Sequence, residues 1–181
     1  MLSLASIKMR AAAFGAILAG LALGFYGAKP LHAEDKPACE QFGWSIKREQ
    51  ALFGAPGLIQ AASRSKFDSI ERGFTLELQP HASVAFVFPP ERQPKSPDSF
   101  GGVISFANVP RAGLYQVTLS AEAWIDVIQD GQAVTSTAHS GKRGCADVRK
   151  SVRFELKPGA LTIQLSGATE KTVKLVVLPA E

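Results

Sequence analysis

The stretch WIDVIQDGQAVTST, residues 124–137, carries the clearest fold signal of this chain. Asp130-Gly131 stands between two runs of β-forming residues, and Asp-Gly is typical of the type I′ turn that joins antiparallel strands. In the first run, apolar residues occur at both alternating sets of positions, so we expect a central strand that is covered on both sides. The stretch therefore predicts a β-hairpin.

Short apolar or alternating runs continue on both sides of this hairpin, separated by turn residues at intervals of about 8 to 12 residues. Pro158-Gly159 and Ser166-Gly167 are two such turns. The predicted strands are Phe74–Leu78, Val84–Phe88, Gly102–Phe106, Gly113–Ser120, Trp124–Gln129, Gln132–Thr137, Ser151–Leu156, Leu161–Leu165 and Val173–Leu178. Nine strands without helical periods between them predict an all-β fold, an antiparallel β-sandwich or jelly roll. They exclude a parallel α/β sheet.

Two segments do not fit a sheet. Cys39–Gly54 mixes apolar and charged residues in a way that predicts a short helical arm near the N-terminus. Pro89–Pro97 contains four prolines, which remove hydrogen-bond donors and predict a surface loop. The length of this loop makes it a candidate for recognition, and a solvated connector is the alternative.

Residues 1–33 have the pattern of a secretory signal peptide, with an N-terminal signal helix. Lys8 and Arg10 precede an uncharged run, Ala11–Ala28, and the small residue Ala33 follows at the expected cleavage point. We expect cleavage there, a single domain over residues 34–181, and a periplasmic or secreted location without a stable membrane span. A retained anchor is the alternative, since the apolar run reaches the lower length limit for crossing a bilayer.

Removal of this leader changes the charge of the protein. The leader contains three of the 20 basic residues, Lys8, Arg10 and Lys29, and none of the 16 acidic ones, so the net charge falls from +4 to +1. A nucleic-acid-binding surface needs clustered positive charge. The balanced charge of residues 34–181 therefore does not favour nucleic acid as a partner.

Two cysteines, Cys39 and Cys145, are present in the whole chain. In an oxidising compartment we expect them to form a disulfide. Lipidation of Cys39 and metal binding by thiolates are the alternatives. Cys39 follows Lys36-Pro37-Ala38 rather than the apolar run, and Cys145 has no second cysteine at the spacing of a zinc site.

The sequence contains none of the common catalytic motifs, such as G-x-S-x-G, H-E-x-x-H, a phosphate-binding glycine loop or C-x-x-C. We therefore expect no catalytic residue and no cofactor. A centre with two histidines and one carboxylate would need His81 and His139 together with a distant residue such as Asp126 or Glu122. Satisfied or exposed histidines are the simpler interpretation.

The most concentrated polar chemistry lies in residues 139–150, where two glycines interrupt a predicted cationic loop. Arginines at positions of the same strand parity offer forked donors to one carboxylate or phosphate. The candidate ligand-binding residues are His139, Lys142, Arg143, Arg149, Lys150 and Arg153. The alternative is a run of solvated charges, which would contribute little to stability.

A second candidate site is formed by Trp124 and Asp126, which share one face of a predicted strand. An indole beside a carboxylate is suited to stacking and hydrogen bonding with a sugar. Burial of Trp124 in the core is the favoured interpretation.

The strand Ser151–Leu156 alternates apolar and polar residues. Its polar set, Ser151, Arg153 and Glu155, is therefore expected on a solvent-exposed face.

Several of these segments together resemble a group of small exported proteobacterial proteins of unknown function, some of which carry a homogentisate 1,2-dioxygenase label. The resemblance involves residues 113–117, 123–127, 139–145, 149–154 and 161–165, with 89–92 as a weaker match. The chain is also similar to the β-sandwich of pre-peptidase C-terminal domains. The resemblance implies the same sandwich fold, whereas the authentic dioxygenase is a larger cupin whose metal-binding motif does not map onto this sequence.

These observations predict an exported, non-catalytic β-sandwich domain that acts in binding or assembly within the cell envelope. Its partner would be an envelope ligand or protein, and the cationic stretch favours an anionic one. Two other classes stay open: a metal-dependent enzyme, as the label of the relatives implies, and a carbohydrate-binding module built on Trp124.

Overall fold

The computed structural model describes residues 36–181, so the predicted signal peptide lies outside the described residues. The described part is mostly β, with twelve strands and one α-helix, α1 (Lys47–Gly54). The strands are β1 (Ile59–Ala62), β2 (Ser65–Ser69), β3 (Phe74–Glu77), β4 (Gln79–Pro80), β5 (Phe100–Val109), β6 (Gly113–Leu119), β7 (Trp124–Gln129), β8 (Gln132–Val134), β9 (Ser136–Gly141), β10 (Lys150–Leu156), β11 (Gly159–Ala168) and β12 (Thr172–Pro179). None of the helices in residues 36–181 has the length and apolarity needed to cross a membrane.

The strands form two sheets that share one core. Sheet A has the order β1-β3-β12-β6-β10-β9, and sheet B has the order β2-β5-β11-β7-β8, with β4 paired to β5. Alternate side chains of both sheets point inward, as the period of two requires, and form one buried apolar cluster. Its members include Phe74, Val117, Leu119, Phe154 and Leu175 from sheet A, and Ile104, Phe106, Val127, Ile163 and Leu165 from sheet B. The fold is sandwich-like, as the sequence predicts.

The predicted hairpin is confirmed. β7 and β8 pair antiparallel, and the two residues between them, Asp130 and Gly131, have φ angles of 49° and 69°. A type I′ turn needs positive φ at both central residues, which Gly and Asp tolerate better than most residues.

The sheets are mixed, whereas the sequence predicts antiparallel pairing. β1 pairs parallel to β3, and β2 pairs parallel to β5. Twelve strands replace the nine predicted in the described part of the chain. The additional strands β1, β2, β4 and β9 are short or rich in polar residues, and the parallel pairs have no hairpin turn to mark them in the sequence.

The predicted strand Val84–Phe88 is wrong. Val84, Phe86 and Phe88 alternate with exposed residues, as in a strand, but the segment joins no ladder. Instead, the backbone N–H groups of Val87 and Phe88 donate to the side-chain oxygen of Gln164, at 3.0 and 3.3 Å. A segment without regular secondary structure therefore lies on the outer face of sheet B and continues into the predicted proline-rich loop.

The predicted N-terminal arm is confirmed as a 3-10 helix, Ala38–Gln41, followed by α1. It packs on the outer face of sheet A and forms a second apolar cluster. This cluster consists of Phe42, Ile46, Phe53, Val148, Val176 and Leu178. The disulfide between Cys39 and Cys145 ties the arm to the segment before β10, which confirms the predicted bond.

The arm also changes the environment of the face that it covers. Gln116, Thr118 and Ser151 are fully buried there, and Trp44 of the arm donates a hydrogen bond to Ser151. Of the three β10 residues that were expected to be wet, Ser151 is buried, Arg153 is half-buried and Glu155 is exposed. The expectation of a wet face on β10 is therefore wrong except at Glu155.

Candidate anion-binding site

Trp124 lies at the start of β7 on the outer face of sheet B. Its neighbours Ile125 and Val127 point into the core, so Trp124 and Asp126 point away from it. The indole is half-buried, and its Nε1 donates a hydrogen bond to Asp126 Oδ1 at 2.8 Å. The expectation that Trp124 is buried in the core is therefore wrong, whereas its placement on one face with Asp126 is confirmed.

Two cations contact the ring of Trp124. The guanidinium carbon of Arg92 lies 4.2 Å from the ring centroid, and Lys150 Nζ lies 5.0 Å from it. Arg92 is an exposed residue of the proline-rich loop, whereas Lys150 begins β10 in the other sheet. Both distances are within the range of cation–π attraction. The indole therefore contacts cations from two distant parts of the chain.

A carboxylate lies beside these cations. Glu122 forms an ion pair with the Arg149 guanidinium, and its other oxygen lies 3.9 Å from Lys150 Nζ. Lys150 Nζ donates its closest hydrogen bond to the backbone oxygen of Ala123, at 2.9 Å. The resulting group, which we call the Trp124 cluster, consists of Arg92, Glu122, Trp124, Asp126, Arg149 and Lys150. Its three cations exceed its two carboxylates.

The Lys150 ammonium is partly buried among these charges. Partial burial lowers the pKa of the Lys150 ammonium below its usual value. Glu122 opposes this shift, whereas Arg149 and Arg92 add to it. An ammonium that is partly removed from water and has two guanidiniums near it is a place where an added anion would be stabilised.

Gln164 positions the loop that carries Arg92. Besides accepting from Val87 and Phe88, it donates from Nε2 to the backbone oxygen of Phe88 at 2.9 Å. The same Nε2 lies 3.4 Å from Asp126 Oδ2. Because Asp126 in turn accepts from Trp124, one buried glutamine links the segment that contains Val87 and Phe88, the sheet and the indole.

Arg153 lies outside the Trp124 cluster, on the face that the arm covers. Its guanidinium stacks on Trp44 at 4.2 Å and donates to the buried Gln116 Oε1 from Nε and Nη2, at 3.3 and 3.2 Å. Nη2 also donates to the backbone oxygen of Glu181. Arg149 and Arg153 thus have different intramolecular partners and do not converge on one point.

The remaining candidates lie away from Trp124. His139 is exposed on the edge strand β9, where the sequence predicts a loop, and Lys142 and Arg143 follow that strand in the segment that leads to Cys145. His81 lies in a 3-10 helix after β4, with its ring 5.1 Å from that of Phe86. Its Nδ1 is buried without a hydrogen-bond partner among residues 36–181.

These positions bear on the metal alternative. His81 follows β4 of sheet B, whereas His139 lies on β9 of sheet A, so the two histidines are positioned by different sheets. Among the residues that the structure describes, no group of three or more His, Cys, Asp or Glu residues is arranged to hold a metal ion.

Sequence reasoning did not identify Arg92 as a site residue and considered Glu122 only for a metal. The proline-rich loop was a candidate for recognition, but no pattern links position 92 to position 124. Comparison of the chain with models of known protein families and with curated proteins finds no match.

Proposed function

We propose that this protein is an exported, non-catalytic binding module of the cell envelope that holds an anionic ligand at the Trp124 cluster. The observation that carries the proposal is the contact of two cations, Arg92 and Lys150, with one indole, beside the ion pair between Arg149 and Glu122. The leader-like residues 1–33 and the Cys39–Cys145 disulfide support export, because disulfides persist in oxidising compartments. The jelly-roll connectivity stays a prediction.

Arg92 is the most accessible donor of this site. It is exposed, and the structure gives it no ion pair with a carboxylate of residues 36–181. Stacking on Trp124 leaves the edge of the guanidinium available for the forked hydrogen bonds that carboxylates and phosphates accept. A side chain that is already held in place also loses less conformational entropy when a ligand binds.

A carbohydrate-binding module is the second candidate. It is favoured by the position of Trp124 outside the core, where its ring lies next to the Asp126 carboxylate. Arg92 covers part of the ring at 4.2 Å, so a sugar would have to replace the guanidinium in order to stack. This requirement makes the anion the better candidate.

Calorimetric titration of the purified protein with oligogalacturonate, inorganic phosphate and a neutral malto-oligosaccharide tests the proposal. We expect at least one anionic probe to bind, with an affinity that falls as salt rises, and the neutral sugar not to bind. The double variant Arg92→Gln/Lys150→Gln should lose this binding. Arg143→Gln is the matched control, because it removes an exposed charge outside the Trp124 cluster and should bind like the unaltered protein.

Two results would contradict the proposal. One is the absence of binding to either anion, and the other is equal binding by the unaltered protein and the double variant. Binding of the neutral sugar alone would favour the carbohydrate-binding module instead.

A further inference from the structure

We infer that, without ligand, the Glu122 carboxylate occupies the position in the Trp124 cluster where a carboxylate of the ligand binds. The ligand carboxylate displaces Glu122 from this position. This inference rests on the proposed function, since it specifies the anion that the site binds and how the site is kept occupied without ligand. It concerns the Glu122 side chain, which is about half exposed.

The Glu122 carboxylate faces two cations of the cluster at once. Its two oxygens face two different cations, Arg149 and Lys150. A planar group with two oxygens between a guanidinium and an ammonium is the arrangement expected for a bound carboxylate. The chain thus shows which chemical group fits this place.

The Glu122 side chain is easily displaced. It lies in the connection between β6 and β7, outside both ladders. Its neighbours Ala121 and Ala123 are buried, and the nearby Ser120 N–H is hydrogen-bonded to the backbone oxygen of Lys174. The backbone is therefore anchored, and a change of side-chain rotamer is enough to move the carboxylate away.

Glu122 alone does not neutralise the three cations of the cluster. The distance of 3.9 Å between its Oε1 and Lys150 Nζ is longer than a hydrogen bond. Arg92 contributes a further positive charge near Lys150, and Glu122 has no ion pair with it. A ligand could place one carboxylate between Arg149 and Lys150 and a second acidic or polar group at Arg92. Such a ligand would contact all three cations, which Glu122 does not.

The test compares Glu122→Gln with the unaltered protein in titrations with oligogalacturonate and with inorganic phosphate. Glutamine keeps the shape of the side chain and removes the competing charge. We expect the affinity for oligogalacturonate to rise about two- to five-fold, as the loss of one exposed ion pair would allow. The unaltered protein should also prefer oligogalacturonate to phosphate.

Glu155→Gln is the matched control. Glu155 is an exposed acid on β10, on the face of the strand opposite to that of Lys150, and its replacement changes the net charge by the same amount. Its affinity should equal that of the unaltered protein. An equal rise in both variants would show a general effect of charge and would overturn the inference.

The outcomes separate the inference from the proposed function. If the unaltered protein binds oligogalacturonate and Glu122→Gln binds it no better, the inference fails and the proposed function stands. A preference for phosphate would overturn the carboxylate assignment. If neither anion binds, the proposed function itself fails. Should Glu122→Gln not fold, Glu122→Asp, whose shorter side chain draws the carboxylate away from Lys150, must also bind oligogalacturonate more tightly.

Discussion

Gln164 and Phe88 are joined by two hydrogen bonds, one in each direction, as two residues of neighbouring strands would be. Phe88 N donates to Gln164 Oε1 at 3.3 Å, and Gln164 Nε2 donates to the Phe88 backbone oxygen at 2.9 Å. The side chain of a fully buried glutamine thus replaces a strand backbone. It fixes the segment that carries Arg92 against sheet B.

Replacement of Gln164 by leucine should release this segment. The Val87 and Phe88 backbone groups lose their partners, and we expect the free energy of unfolding to fall by about 1 to 3 kcal/mol. Urea unfolding measures the loss, and limited proteolysis in residues 89–97 should become faster. Thr162→Val, on the same face of β11, is the control and should not change the proteolysis. Unchanged proteolysis of Gln164→Leu would contradict the role assigned to this residue.

The Cys39–Cys145 disulfide should contribute strongly to stability. It joins residues 106 positions apart, and a loop of that size corresponds to about 4 to 5 kcal/mol in the chain-entropy model. We expect the Cys39→Ser/Cys145→Ser variant to lose most of this free energy in urea unfolding. Gln50→Leu, which removes only the amide that donates to both sulfurs, should lose far less. Alkylation of the denatured, unreduced protein should label neither cysteine.

Arg153 should contribute more to the free energy of unfolding than the solvated charge that the sequence suggests. In Arg153→Met, the buried Gln116 Oε1 loses its donors, which we expect to cost about 1 to 3 kcal/mol. Arg149→Met loses an ion pair with an exposed carboxylate and should cost less than about 1 kcal/mol. Thermal and urea unfolding of both variants compare the two costs. Equal costs would show that the contact between Arg153 and Gln116 is not stabilising.

Because of Lys150, the free energy of unfolding should vary with pH in the alkaline range. Because burial lowers the pKa of its ammonium in the folded protein, the unfolded chain keeps a proton that the folded chain has released, between the lowered pKa and the ordinary one. Stability therefore rises with pH through this window. The free energy of unfolding of the unaltered protein should rise relative to that of Lys150→Met as the pH increases from neutral to about 10. Parallel pH curves would contradict this assignment.

Processing of the leader is a separate prediction. The charged start, the apolar run and Ala33 predict that the exported protein begins at Glu34. The intact mass of the protein recovered from the periplasm or the medium checks this directly. Recovery of the full-length chain as a stable membrane-bound species would instead favour a retained anchor.

The parts of the fold that could be predicted are those whose sequence signal comes from residues close together in the chain. The alternation in β6 and β10 and the turn at Asp130-Gly131 place the core and one hairpin correctly. Val84–Phe88 has the same alternation, yet its hydrogen-bond partner is a side chain 76 positions away. Burial of Ser151 depends on Trp44, which is 107 positions away. Such contacts are set by tertiary packing and leave no periodic signal.

The candidate site shows the same limit. Trp124, Asp126, Arg149 and Lys150 could be selected for their chemistry, and strand parity placed the first two together. Their assembly with Arg92 depends on how the proline-rich loop crosses sheet B and on where the two sheets meet. Conversely, Arg153 looks like a free cation in the sequence, because nothing near it in the chain reveals the stacking on Trp44.

The order of strands in the two sheets has a consequence for folding during synthesis or export. β12 lies between β3 and β6, and β11 lies between β5 and β7, so the strands that join each sheet come last in the chain. A polypeptide leaving a ribosome or a translocation channel must present ten strands before either sheet can close. Neither sheet can therefore be completed before β11 and β12 have emerged, so the earlier strands keep unpaired edges in the meantime.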